Sequence, residues 1–242
     1  MARLIGNVDP ATDHNFSSVW NLNSAEVTEA FKAGTWPSVP VPIAWDTTTA
    51  GSNVAISNSD LTAAVSGSPA SWAGNAAISV GSHSSGKVYF ESTISGSPSS
   101  GYLRVGVVQN QGSATLTEIQ SGSMGGWDGD APAYTNKSEN RSQANGLQVN
   151  DGSNTHSNGD VFMWAFDIDN ARAYFGRNGS FDLSFNPVNG TGGYDMSSLT
   201  GYNSTDSWHI LFQNRNSTGT VTLRTASEAQ YLPSGYSYWG TI

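Results

Sequence analysis

The sequence predicts an all-β protein: an antiparallel β-sandwich over residues 43–242, preceded by an N-terminal segment, 1–42, that carries one short helix. Three observations predict it. Helix surfaces are normally built from Lys, Glu and Arg, yet the 242 residues include only 3 Lys and 6 Glu. From Ile43 onward, short alternating runs recur between Gly/Ser/Asn clusters, which is the pattern of a sandwich. The chain also holds 8 Trp, 9 Tyr and 9 Phe at only 12% charged residues. Disordered chains are charged and poor in aromatics, so a folded core is expected. A chain of this length buries roughly 70% of its unfolded surface and needs no metal or disulfide to hold it.

The elements follow in order. Asn23 is placed to cap a helix, and Glu26 stands three residues later at capping-box spacing. Val27, Ala30 and Phe31 then share a face, and Gly34 suits the stop. Pro37, Pro40 and Pro42 forbid helix and read as an extended linker. Trp20, Leu22, Val27, Phe31 and Trp36 form an apolar set that needs a surface to bury against. It either packs on its own domain or docks on another subunit.

In the sandwich, Lys87 to Ile94 places Val88, Phe90 and Ile94 on one face and Tyr89, Glu91 and Thr93 on the other. Leu103, Val105 and Val107 alternate in the same way. Val161 to Phe166 is apolar on both faces and reads as a central strand. Arg172 to Phe175 follows a turn-forming Asp167-Ile168-Asp169-Asn170, and Asn178-Gly179 is a strong hairpin signal. Trp208 to Phe212 and Thr220 to Leu223 add two strands. Residues 109–158 interrupt the pattern with Gly, Ser, Asn and Asp. A structureless loop of that length is improbable in a compact domain, so weak edge strands such as Gly146 to Asn150 are expected within it.

Charge and motifs exclude several functions. A net charge of −9 with no Lys/Arg cluster argues against nucleic acid. No run approaches the ~18 apolar residues of a membrane span. There is no cysteine, so thiol catalysis is absent, and zinc would have only four scattered His. Neither a metal nor a cofactor is expected. Thirteen of the acids are Asp, mostly beside Gly, Asn or Ser. They read as turn formers, or as cation ligands in loops. Asp128-Gly129-Asp130 is the sharpest case of the second kind.

Several blocks carry a resemblance. Gly86-Lys87-Val88-Tyr89-Phe90-Glu91-Ser92-Thr93-Ile94 and the Gly-rich run Gly101 to Val108 resemble early strands of the SPRY family, a bent sandwich of concanavalin-like architecture. The block Gly159-Asp160-Val161, Ala165-Phe166-Asp167-Ile168-Asp169, Ala173-Tyr174-Phe175 and Arg177-Asn178-Gly179 is the most specific match. It resembles two core strands of that family joined by a tight turn and closed by an Asn-Gly turn. Leu232-Pro233-Ser234-Gly235-Tyr236 is similar to the ending of phage-encoded versions. Met163 and Trp164 stand where the family has small residues, and Thr222-Leu223-Arg224 where many members have Asn-Phe-Gly. The head, Ser18-Val19-Trp20-Asn21-Leu22 then Ala33-Gly34-Thr35-Trp36-Pro37, resembles a segment recurrent in virion and tail proteins of tailed bacteriophages.

These resemblances imply a non-enzymatic virion structural protein, assembled in the bacterial cytoplasm. Its partners would be capsid or tail subunits, contacted through Trp20, Leu22, Val27, Phe31 and Trp36, and the chain would form a homo-oligomer on the particle. The alternative is a tail-fibre module that binds a host surface glycan. Trp127 and Tyr134 would then form a stacking platform, with Asp128 and Asp130 bonding hydroxyls. A glycosidase needs paired carboxylates. Glu91 has Tyr89 and Thr93 as its same-face neighbours, and Asp167 and Asp169 read as turn caps, so no catalytic residue is assigned. His209, in a strand, reads as a structural histidine.

Overall fold

Alternation and β-branched composition build the strands expected, and further strands form where the sequence is too polar to announce them. The computed structural model describes residues 41–65, 73–96, 103–109, 158–181, 185–199, 201–214 and 219–241. It also describes the backbone of 133–137, 141–144 and 147–150. The chain divides into two units, Met1–Val39 and Pro40–Ile242, and the described residues fall in the second. The expected helix lies outside them.

In chain order the strands are β1 (Val54–Ser57), β2 (Thr62–Val65), β3 (Ala76–His83), β4 (Lys87–Ser95) and β5 (Leu103–Gln109). A meander follows in β6 (Ala133–Lys137), β7 (Arg141–Ala144) and β8 (Leu147–Asn150). Next come β9 (Val161–Asp167), β10 (Arg172–Arg177), β11 (Ser180–Phe181) and β12 (Tyr194–Asp195). The last three are β13 (Trp208–Asn214), β14 (Thr220–Leu223) and β15 (Ser237–Tyr238). The only helical element among the described residues is the 3-10 turn Met196–Ser198, capped by the Asp195 carboxylate.

One sheet runs β1-β2-β14-β4-β9-β10-β11, with β12 beside β10 and β15 beside β4. The other runs β3-β13-β5-β6-β7-β8. Every pairing is antiparallel except β15 on β4. Residues 109–158, expected to be mostly loop with weak edge strands, contribute the three strands β6 to β8. Only Leu147–Asn150 falls where an edge strand was placed, because β6 and β7 are polar and show no apolar alternation.

The core is aromatic. Phe90, Trp164 and Phe166 stack with planes 4° to 14° apart, since i and i+2 on β9 share the face on which Phe90 lies opposite Trp164. Trp239 closes this stack edge-on against Phe90 and Phe166. Trp45 sits beside Phe212, and its indole N–H donates to the Leu61 carbonyl. Such pairs add about 0.5–1.5 kcal/mol beyond the area they bury. Trp164 and Trp208 are both core residues.

The hairpin at Asn178-Gly179 forms as expected, with both residues at positive φ (49° and 90°) and Arg177 opposite Ser180. The Asn178 amide oxygen also accepts from the Val161 N–H, and its amide nitrogen donates to Asp160.

Candidate functional site

The outer face of β4 carries Tyr89, Glu91 and Thr93, as the alternation requires. A half-solvated sheet would leave that face wet, yet Tyr89 and Glu91 are fully buried. The cover comes from the C-terminal segment. β14 lies beside the second half of β4, and the Arg224 N–H makes a last bond to the Glu91 carbonyl at 3.0 Å. The chain then leaves the sheet and returns as β15, parallel to Val88 and Tyr89 on the same edge of β4.

Local signals shape this excursion. Thr225 donates through its N–H and hydroxyl to Glu228, both at 2.8 Å, which closes a turn. Gly235, at φ 84°, closes another over Pro233 to Tyr236.

Glu91 clasps the excursion to the sheet. Its Oε1 accepts from the Tyr89 hydroxyl at 2.8 Å, the Gln230 N–H at 2.9 Å and the Tyr231 N–H at 2.7 Å. Its Oε2 lies 3.4 Å from Arg224 Nη1, an ion pair without hydrogen-bond geometry. Tyr238 completes the cluster, donating its hydroxyl to the Arg224 carbonyl at 2.6 Å and accepting from the Glu91 N–H. Burial drives the Tyr89 and Tyr238 hydroxyls far above the usual tyrosine range, and Glu91 beside Tyr89 adds to its shift. Both therefore remain donors and cannot serve as bases at ordinary pH.

Beside this cluster lies a cavity of about 480 Å³ lined by Thr93, Val161, Thr222, Arg224 and Glu228, with the β1–β2 turn at Asn58 as its far wall.

Several other titratable groups among the described residues are engaged in structure. Asp167 forms an ion pair with Lys87 at 3.1 Å and accepts from the Asn170 backbone and side-chain amides. Asp169 accepts from the Gly86 N–H at 2.9 Å. Both are turn caps, and Ala171 just after them is held at φ 51°. β4 carries a single carboxylate, so the one-strand array of a sandwich glycosidase is absent from it. His209 is buried at a bulge in β13, with Nδ1 2.8 Å from the Ser79 carbonyl. His83 packs edge-on against Trp239. Burial lowers the pKa of both imidazoles, and the neighbouring His209 lowers that of His83 further. Among the described residues no three His, Asp or Glu side chains gather as a metal site, and no helix is long and apolar enough to cross a membrane.

Trp20, Leu22, Val27, Phe31 and Trp36 lie outside the described residues, as do Trp127, Asp128 and Asp130. Tyr134 lies in β6, opposite Val107 of β5 and Ala144 of β7. The residues singled out for binding thus lie outside the described side chains. The described residues assemble a cluster of Glu91, Arg224, Gln230 and Tyr238. The sequence signals for that cluster were the lone Glu on an apolar strand and the Pro-x-Gly-Tyr ending.

No family model matches the sequence, and no curated protein matches it. Solved structures do. The TRIM65 PSpry domain superposes with a TM-score of 0.50 at 14% identity, over 76% of this chain and 92% of that one. The SPRY domain of human HERC1 superposes with a TM-score of 0.52 at 12% identity, over 76% of this chain and 99% of that one. At such low identity these likenesses concern the backbone, and together with the two-sheet topology they give this chain the SPRY-type, concanavalin-like sandwich fold.

Proposed function

We propose that this protein is a non-enzymatic interaction module of a bacteriophage particle. Its sandwich faces outward, and residues 1–42 dock it on capsid or tail subunits. One observation in the sandwich carries the non-enzymatic part. Among the described residues each buried carboxylate is committed to holding the fold, Glu91 to the C-terminal excursion and Asp167 to the β9–β10 turn. The catalytic carboxylates of a glycosidase need a face open to substrate and a partner carboxylate at short range. A fold whose core strands are buried suits binding through surfaces.

The particle assignment is supported by sequence. The head resembles segments of tailed-phage virion proteins, and the Leu232 to Tyr236 ending resembles phage-encoded sandwiches. The low charge, 12% of residues, suits close packing against other subunits in a homo-oligomeric array. The test is made in the full chain. Trp20, Phe31 and Trp36 are replaced together by Ala, and incorporation into particles is measured by quantitative mass spectrometry. Docking through the head predicts a loss of at least about tenfold, since anchor aromatics carry most of an interface's energy. Unchanged incorporation overturns it.

A further inference from the structure

The outer face of the first sheet holds a row of side chains that the fold does not use. Thr62, Thr222, Thr93 and Val161 lie directly opposite one another across the adjacent strands β2, β14, β4 and β9. All four face away from the aromatic core, because the residues between them on each strand face inward. Thr222, Thr93 and Val161 of this row form the floor of the cavity of about 480 Å³, within the range of small-ligand sites.

The walls are rigid. Asn58, Ser59 and Asp60 stand in succession at φ 56°, 51° and 63°, a conformation rare for any residue but glycine. Bonds on each side hold the turn there. Leu61 N–H donates to the Asn58 carbonyl, Trp45 N–H to the Asp60 carbonyl, and the Trp45 indole and Leu223 N–H to the Leu61 carbonyl. The opposite wall is the excursion, clasped by Glu91. Backbone strain of this kind persists where the surroundings over-determine it, and it is concentrated at binding sites.

Hydrogen-bonding capacity remains on this surface. The Thr93 hydroxyl has no hydrogen-bond partner among the described residues, while the Thr62 and Thr222 hydroxyls bond each other at 2.9 Å. Arg224 directs Nη1 to Glu91, which leaves further N–H donors on the guanidinium. Glu228 uses Oε2 for Thr225, which leaves Oε1. Arg224 is already balanced by Glu91, and Glu228 adds a single negative charge, too little to select an ion. A phosphate would want more positive charge, and a metal ion more carboxylates. A peptide strand would want a free sheet edge, whereas this floor is made of side chains. Hydroxyls and amides alternating with small apolar surfaces match a ligand whose groups are each donor and acceptor around C–H faces.

We propose that this cleft binds a short neutral oligosaccharide. The inference does not depend on a particle location or on Trp127. The test is an array of neutral and acidic oligosaccharides probed with the full chain, followed by calorimetric titration of the strongest neutral binder. Thr93→Val keeps the shape of the side chain and removes the hydroxyl. Asn58→Gly keeps the positive φ and removes the amide. Thermal melting checks that both variants remain folded. The expected result is retention of at least one neutral glycan, with affinity weakened about tenfold in each variant. No neutral binder, binding of acidic glycans alone, or undiminished binding in either variant overturns the proposal.

Discussion

Replacing Glu91 should release the C-terminal excursion before it disturbs the aromatic core. Truncation to Ala removes the acceptor of three donors, the Tyr89 hydroxyl and the Gln230 and Tyr231 amides, and strands Arg224. A buried donor left without a partner costs about 1–3 kcal/mol, and breaking a buried ion pair about 3–5 kcal/mol. These costs do not add in full. The two amides are only partly buried, and Arg224 can turn toward water as the excursion lifts. A loss of about 4 kcal/mol is expected for Glu91→Ala. Glu91→Gln keeps the shape and an acceptor oxygen but removes the charge, and should lose about 2 kcal/mol. Against a typical stability of about 5–15 kcal/mol, both are readily measured by urea unfolding of the full chain. Amide exchange supplies the local readout, since the Gln230 and Tyr231 amides should lose protection in both variants while β9 amides keep theirs. If Glu91→Ala lies within about 1 kcal/mol of wild type, or those two amides stay protected, the clasp is wrong.

Three further outcomes follow from the same structure. Asn178→Ala loses the bonds to Val161 N–H and Asp160 and places Ala at φ 49°, so urea unfolding should show a loss of about 2 kcal/mol, with Asn178→Gly recovering part of it. Trp45→Ala empties a fully buried site beside Phe212 and removes one of the two donors to the Leu61 carbonyl, which should cost about 3–5 kcal/mol in the same assay. Burial lowers the pKa of His83 and His209 in the folded state, so the unfolded chain takes up protons first as pH falls. Stability should therefore be intact above about pH 6.5 and decline as pH drops below it, by no more than about 1.4 kcal/mol per pH unit for each His. A double His83→Gln, His209→Gln variant should flatten that decline between pH 6.5 and 5, and an unchanged slope would refute the assignment.

What could be read from the sequence was what neighbouring residues decide. The β14 bounds, Thr220–Leu223, and the Asn178-Gly179 hairpin follow from alternation and from the turn's need for positive φ. So does the placing of Tyr89, Glu91 and Thr93 on one face. What escaped is fixed by partners far away in the chain. Nothing near Trp45 or Trp239 marks them as core, because Trp45 is positioned by Leu61 and Phe212, and Trp239 by Phe90 and Phe166. β6 and β7 lack the apolar alternation that betrays a strand. The burial of Glu91 depends on residues about 140 positions later, so a polar outer face was the natural reading. The cleft depends on a register that sets Thr62, Thr222, Thr93 and Val161 in line, which no local pattern reveals.

The proposed particle role is tested most directly by imaging purified virions of a phage whose genome encodes this chain, at a resolution that traces it. The reading predicts this sandwich at a fixed copy number on the outer surface, joined to a capsid or tail subunit through residues 1–42. Virions that assemble and infect without any copy of the chain would contradict it.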